Sequence, residues 1–246
     1  MACASPPDRC TAGTASRCDA PSRSVAHDNF AVSDKEPRRR RRTATITARG
    51  PTRPYTNYTA ARIPDHGRLE ASVRYDNGSV TGLRAYAAAN QFLASQFARA
   101  GGTVEVQVTF RTPMAPDAFR AWATNAGLTV QAADIRTVNA KGRRSTLAVF
   151  PRGGDPLPQT IIDRQLARHQ PADPLTVQGV VDARGTVDAA RLPGIAADAK
   201  VFMADVTATV VRSDLASEGE VDAAQTLVQV PPPFWAMEDL GLVNFR

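Results

Sequence analysis

Residues 103–150 read TVEVQVTFRTPMAPDAFRAWATNAGLTVQAADIRTVNAKGRRSTLAVF. Val104, Val106, Val108 and Phe110 alternate with Glu105, Gln107, Thr109 and Arg111. A period of two sends the apolar set to one face of a strand and the polar set to the other, toward water. Burial on one side only predicts an antiparallel or mixed sheet with helices on one face. A helix follows. Pro116 suits a first helical position, where its missing N–H would have no partner anyway. Met114 is placed to staple onto Phe119, and Phe119, Trp122, Ala123 and Ala126 recur at helical spacing. Gly127 can take the left-handed conformation that ends the helix. Leu128, Val130 and Ala132 alternate into a second strand. Ile135 and Val138 break its phase, which predicts a bulge or bend near Asp134. Asn139-Ala140-Lys141-Gly142 is a turn, and Thr146–Phe150 a third strand.

Working outward, residues 80–100 predict a long helix with Leu83, Tyr86, Ala87, Asn90, Leu93 and Phe97 along one side. Its few basic residues, Arg84 and Arg99, argue for packing on a sheet rather than lying on a membrane. Downstream come a loop at 151–156, a helix at 158–169, a strand at 175–182 and a short helical connection at 187–197. Residues 201–211 predict a long strand with Phe202, Ala204, Val206, Ala208 and Val210 on one face. The alternation puts Asp205 on the other face, at the surface. Residues 212–225 read as a polar loop and 226–230 as an edge strand. Pro231–Pro233 is a stiff extended spacer. Phe234 and Trp235 after it are expected to dock on their own domain. The other reading of this pair is an anchor for a protein partner.

The resulting organisation is a disordered basic head at 1–49, an extended linker at 50–79, an α+β domain at 80–230 and a Pro/aromatic tail at 231–246. Charge follows these divisions. Of the net +6, residues 1–62 carry 12 Lys or Arg against 5 Asp or Glu, while residues 63–246 carry 18 against 19. A basic nucleic-acid-binding body is therefore excluded, and the excess lies in the head. There Arg38, Arg39, Arg40, Arg41 and Arg42 form a run suited to nucleic acid, to an anionic surface or to a targeting region. The apolar stretch after it is too short to complete a signal peptide, and no segment is long and apolar enough to span a membrane. Cys3, Cys10 and Cys18 all lie in the head at spacings that match no zinc pattern, with His27 a lone possible fourth ligand. The cysteine-free body suits an exported or cell-envelope protein as well as a cytoplasmic one. Asn57-Tyr58-Thr59 and Asn77-Gly78-Ser79 match the glycosylation sequon.

The strand–helix–strand–strand order of 104–150, with residues 187–206 as a short helix feeding an edge strand, resembles the ferredoxin-like inhibitor and propeptide domains of subtilisin-like proteases. It also resembles α+β domains of exported bacterial proteins. The resemblance implies a ferredoxin-like βαββ-type sandwich with the sheet covered on one face.

Chemistry-bearing motifs are sparse. Gly153-Gly154 lacks the context of a phosphate loop, since neither GxxxxGK[ST] nor GxGxxG occurs. No G-x-S-x-G elbow occurs. The body offers only His66 and His169 as histidine bases. Glu218, Glu220 and Asp222 lack the spacing of a calcium loop. The sequence thus predicts no catalytic residue, no metal site and no cofactor. It points to a non-catalytic binding or structural module, with a nucleic-acid-associated protein or a small hydrolase as alternatives.

Overall fold

The computed structural model describes residues 44–47, 54–55, 57–63, 67–151, 154–169 and 174–242. In chain order the elements are β1 (Ala44–Thr47), β2 (Asn57–Arg62), β3 (Leu69–Arg74), α1 (Val80–Ala100), β4 (Thr103–Met114), α2 (Pro116–Ala126), β5 (Thr129–Asn139), β6 (Arg144–Val149) and α3 (Gln159–His169). They continue with β7 (Leu175–Asp188), α4 (Leu192–Ala197), β8 (Val201–Asp205), α5 (Thr207–Ser217), β9 (Leu227–Gln229) and α6 (Phe234–Asp239). The architecture is α+β with two sheets. One is antiparallel, in the order β6-β5-β7-β4-β8. The other runs β1-β2-β3-β9 and is mixed, because β9 joins β3 in parallel.

The five-stranded sheet grows from the 103–150 segment. Val104, Val106, Val108 and Phe110 are all buried on one face. Phe110 meets Trp122 edge-on at 4.9 Å and Phe119 at 5.9 Å, which fixes α2 on that face. Gly127 ends α2 in the left-handed conformation, φ 68°, and its N–H reaches back to the Ala123 and Thr124 carbonyls. β7 then lies between β4 and β5, so that strands separated by α2 run parallel with an antiparallel strand between them. At Gly185 the neighbouring strand comes so close that a Cβ would lie 2.2 Å from the Thr129 carbonyl oxygen.

Register between β5 and β7 slips at Asp134/Ile135, because Asp134 pairs with Asp182 and Ile135 with Val180. The extra residue is Val181 on β7, so the irregularity near Asp134 is a bulge in its partner strand. As a result, Val180 packs in the main core while Val181 turns to the opposite side, against Phe234.

Several sequence expectations are corrected. Helices cover both faces of the sheet. α2, α4 and the second half of α1 supply Phe119, Leu192 and Leu93 to the apolar face, while α5 packs over Glu105 on the other. The polar set of β4 therefore does not all lie in water: Thr109 is completely buried and Glu105 and Gln107 are half-buried, while Arg111 is exposed. The expected linker at 50–79 holds the β2–β3 hairpin. Tyr58, Ala60, Leu69, Ala71 and Val73 of the β2–β3 hairpin form a second core with Val211, Leu215 and Val228. β1, within the expected head, pairs with β2; residues 1–43 lie outside the described residues. The strand expected at 201–211 ends at Asp205, and residues 207–217 of the expected strand and polar loop are α5. Ala208, Val211 and Leu215 recur at helical spacing, and burying them on the second sheet outweighs the strand preference of the β-branched run.

Candidate functional site

Two places combine chemistry with shape. The first is the polar face of the five-stranded sheet. Cross-strand register brings together residues remote in sequence: Asp134 lies opposite Asp182, Asp182 opposite Thr109, and Gln107 opposite both Arg184 and Asp205. Thr109 Oγ1 donates to Asp182 at 2.6 Å. The Tyr86 hydroxyl donates to Asp205 at 2.6 Å, and the other Asp205 oxygen accepts the Thr207 N–H at 2.8 Å, at the start of α5. Asn90 Oδ1 takes the Val206 N–H at 2.9 Å. Tyr75 stacks on Tyr86 with ring centroids 3.9 Å apart, and its hydroxyl donates to the Pro231 carbonyl.

Asp205 is thus 2 % exposed rather than at the surface. The reason is that the chain turns into α5 immediately after it, where its carboxylate accepts the Thr207 N–H beneath the helix start. Burial raises the pKa of Asp205, against the hydrogen bonds from Thr207 and Tyr86. Burial, and then Asp134 facing it, push Asp182 well above the usual carboxylate range, against the hydrogen bonds from Thr109 and Gln107. Burial brings Asp134 up to about 6, against the pull of Arg184. A space of about 10 Å³ lined by Gln107, Arg184 and Asp205 lies within this face, room for one water molecule and no substrate.

The C-terminal segment closes the neighbouring part of the same face. Phe234 is buried with Val181, and Met237 is buried beside Leu83, Tyr86 and Met203. The half-buried Trp235 lies over the Arg136 guanidinium at 3.9 Å. Glu238 pairs with both Arg136 and Arg144. Arg136 is fully buried; burial, and then the nearby Arg144, lower its pKa to about 10.

The second place is an open groove of about 530 Å³ where α1 passes β8 and α4. Arg84, Ala87, Ala88 and Gln91 line the α1 side; their spacing puts one small-residue face of the helix along the gap. Arg111, Asp198 and Phe202 line the other side. The Arg111 N–H bonds to the Lys200 carbonyl at 2.9 Å, and its guanidinium lies 5.6 Å from the Phe202 ring centroid. The Asp198 carboxylate accepts the Lys200 N–H and the Trp122 Nε1–H, both at 2.9 Å. The Lys200 bond above all holds it below the usual carboxylate range.

Of the residues singled out from the sequence, Phe234 and Trp235 lie side by side, with centroids 5.4 Å apart. Arg38, Arg39, Arg40, Arg41 and Arg42 lie outside the described residues, as do Cys3, Cys10, Cys18, His27 and His66. Glu220 and Asp222 are engaged by Arg62 at 2.5 and 2.6 Å. Asn57, the first sequon asparagine, sits within β2, paired to Arg74. Among the described residues, no three His, Cys, Asp or Glu side chains converge in a metal-binding arrangement, and no helix is long and apolar enough to cross a membrane. The buried aspartates and the groove escaped the sequence reading. The available signal was that Asp134, Asp182 and Asp205 each interrupt an apolar strand, but their meeting depends on register. No family model matches the chain, and neither a curated protein nor a solved structure matches it.

Proposed function

We propose that this chain is a non-catalytic binding module whose ligand enters the groove between α1 and β8. The observation that carries the reading is the groove itself: about 530 Å³, open to solvent, and within the roughly 300–1,000 Å³ typical of small-molecule sites. The polar cluster on the sheet argues for structure rather than catalysis. Asp182 and Asp205 are 3 % and 2 % exposed and already spend their oxygens on Thr109, Tyr86 and Thr207. A general acid or base must reach its substrate, and these carboxylates have no open path to one. The interleaving of β7 between β4 and β5 supports placing the five-stranded unit among split β-α-β sandwiches of the ferredoxin-like kind. The strand filling the gap here is the last of the β4–β7 series rather than the hairpin partner of β5.

The experiment is a small-molecule fragment screen on the full chain, read by NMR. The reading expects saturable shifts at Ala88, Gln91 and Phe202. A screen that moves no groove resonance, or shifts confined to other surfaces, would overturn it.

A further inference from the structure

Resting on the groove as a binding site, we infer that its ligand is a small molecule bearing an oxyanion, a carboxylate or phosphoryl group, held by Arg84 and Arg111. Both arginines belong to the groove wall, one from α1 and one from β4. Among the described residues neither is within ion-pair distance of a carboxylate, whereas Arg62, Arg120, Arg136, Arg144 and Arg212 each have one.

The acidic residue of the lining does not alter this. Asp198 is already committed to the Trp122 indole and the Lys200 N–H. It stays ionised, so a ligand anion sits away from it, toward the two arginines. Arg111 is also held: its backbone is tied to Lys200 and its head lies near the Phe202 ring. A planar fork of donors with restricted freedom loses little on meeting a carboxylate or phosphate, which it matches with two parallel hydrogen bonds. Ala87 and Ala88 leave the space between the charged ends clear, and Phe202 offers an apolar side for the body of the ligand.

The test is calorimetric and NMR titration of the full chain with pyrophosphate for a phosphoryl source, citrate for a carboxylate source, and indole as a neutral aromatic. At least one of the two anions is expected to bind saturably, with shifts at Gln91 and Phe202, and the tighter of the two identifies the source. Arg84→Ala and Arg111→Ala should each weaken that binding about tenfold, the loss of a charge-assisted hydrogen bond. Arg99→Ala, on the same helix but outside the groove, should leave it unchanged. Anion binding that neither substitution weakens would overturn the inference. Indole shifting the groove resonances while both anions fail would overturn it and leave the groove reading standing. Silence from all three probes in the groove would overturn both.

Discussion

On one face of the five-stranded sheet, Val106, Val108 and Phe110 meet Phe119 and Trp122. On the other, Thr109, Asp182 and Asp205 lie beside Tyr86, with α5 and the C-terminal segment close by. Both sets are buried, by different means. The first is held by area and shape, which degrade gradually as groups are removed. The second is held by matched donors and acceptors, where each unmatched partner left behind costs the full desolvation of that group. The alternation in β4 reports chemistry, and only the neighbours decide which chemistry is dry.

The largest effect that would break the comparison is on β4 itself. Val106→Asp puts a carboxylate among apolar side chains and should destabilise by about 5 kcal/mol, at the extreme of single substitutions. Gln107→Asp should cost about 2 kcal/mol rather than nothing, because Gln107 donates toward Asp182 and its replacement would add a further carboxylate there. Denaturant unfolding of both variants measures this; an unperturbed Gln107→Asp would mean that the polar face is wet.

Next come the aromatics on the two sides. Phe119→Ala should cost about 4 kcal/mol and Phe234→Ala about 3 kcal/mol, both within the range for buried aromatics. A value near zero for Phe234→Ala would show that the C-terminal helix does not hold its position in solution.

The third separates the faces by pH. Unfolded aspartates titrate at about 3.9, whereas burial brings folded Asp134 up to about 6 and pushes Asp182 well above the usual carboxylate range. Stability from retaining these protons is full below the unfolded value and is lost as pH rises through the folded ones. The unfolding midpoint should therefore rise as pH is lowered from about 7 to about 5. Asp182→Asn keeps an acceptor for Thr109 but cannot ionise, so it should flatten that rise. A wild-type midpoint that is level over the interval would remove the facing Asp134–Asp182 pair from the account.

The smallest effect lies at the rim of the polar face. Arg212 links α5 to Glu105 at 2.6 Å and to the Thr226 carbonyl at 3.0 Å, with about a fifth of its side chain exposed. Arg212→Ala should cost about 1 kcal/mol, since partial exposure screens the pair, again by denaturant unfolding.

What could be read in advance was local. The β4–α2–β5–β6 run declares itself because its periods, its proline start and its glycine stop all lie within fifty residues of each other. α5 was hidden because Phe202, Ala204, Val206, Ala208 and Val210 alternate as a strand would. The competing helical spacing of Ala208, Val211 and Leu215 acquires meaning only once β9 and the β2–β3 hairpin are there to receive it. The hairpin was hidden for the same reason: its apolar residues are covered by elements from the far end of the chain. The aspartate pair was beyond sequence reading because one inserted residue, Val181, sets which side chains face which.

The pairing of Glu70 with Leu227 and Ala71 with Val228 has a consequence in time. During synthesis the β2–β3 hairpin emerges well before its closing neighbour β9, which follows only after every strand of the five-stranded sheet. Closing so long a loop is slow, because its entropy must be given up before any contact rewards it. The five-stranded sheet, whose strands lie in one continuous stretch, can assemble first. For that interval the hairpin presents an uncovered apolar surface and an open strand edge to chaperones, proteases and other nascent chains.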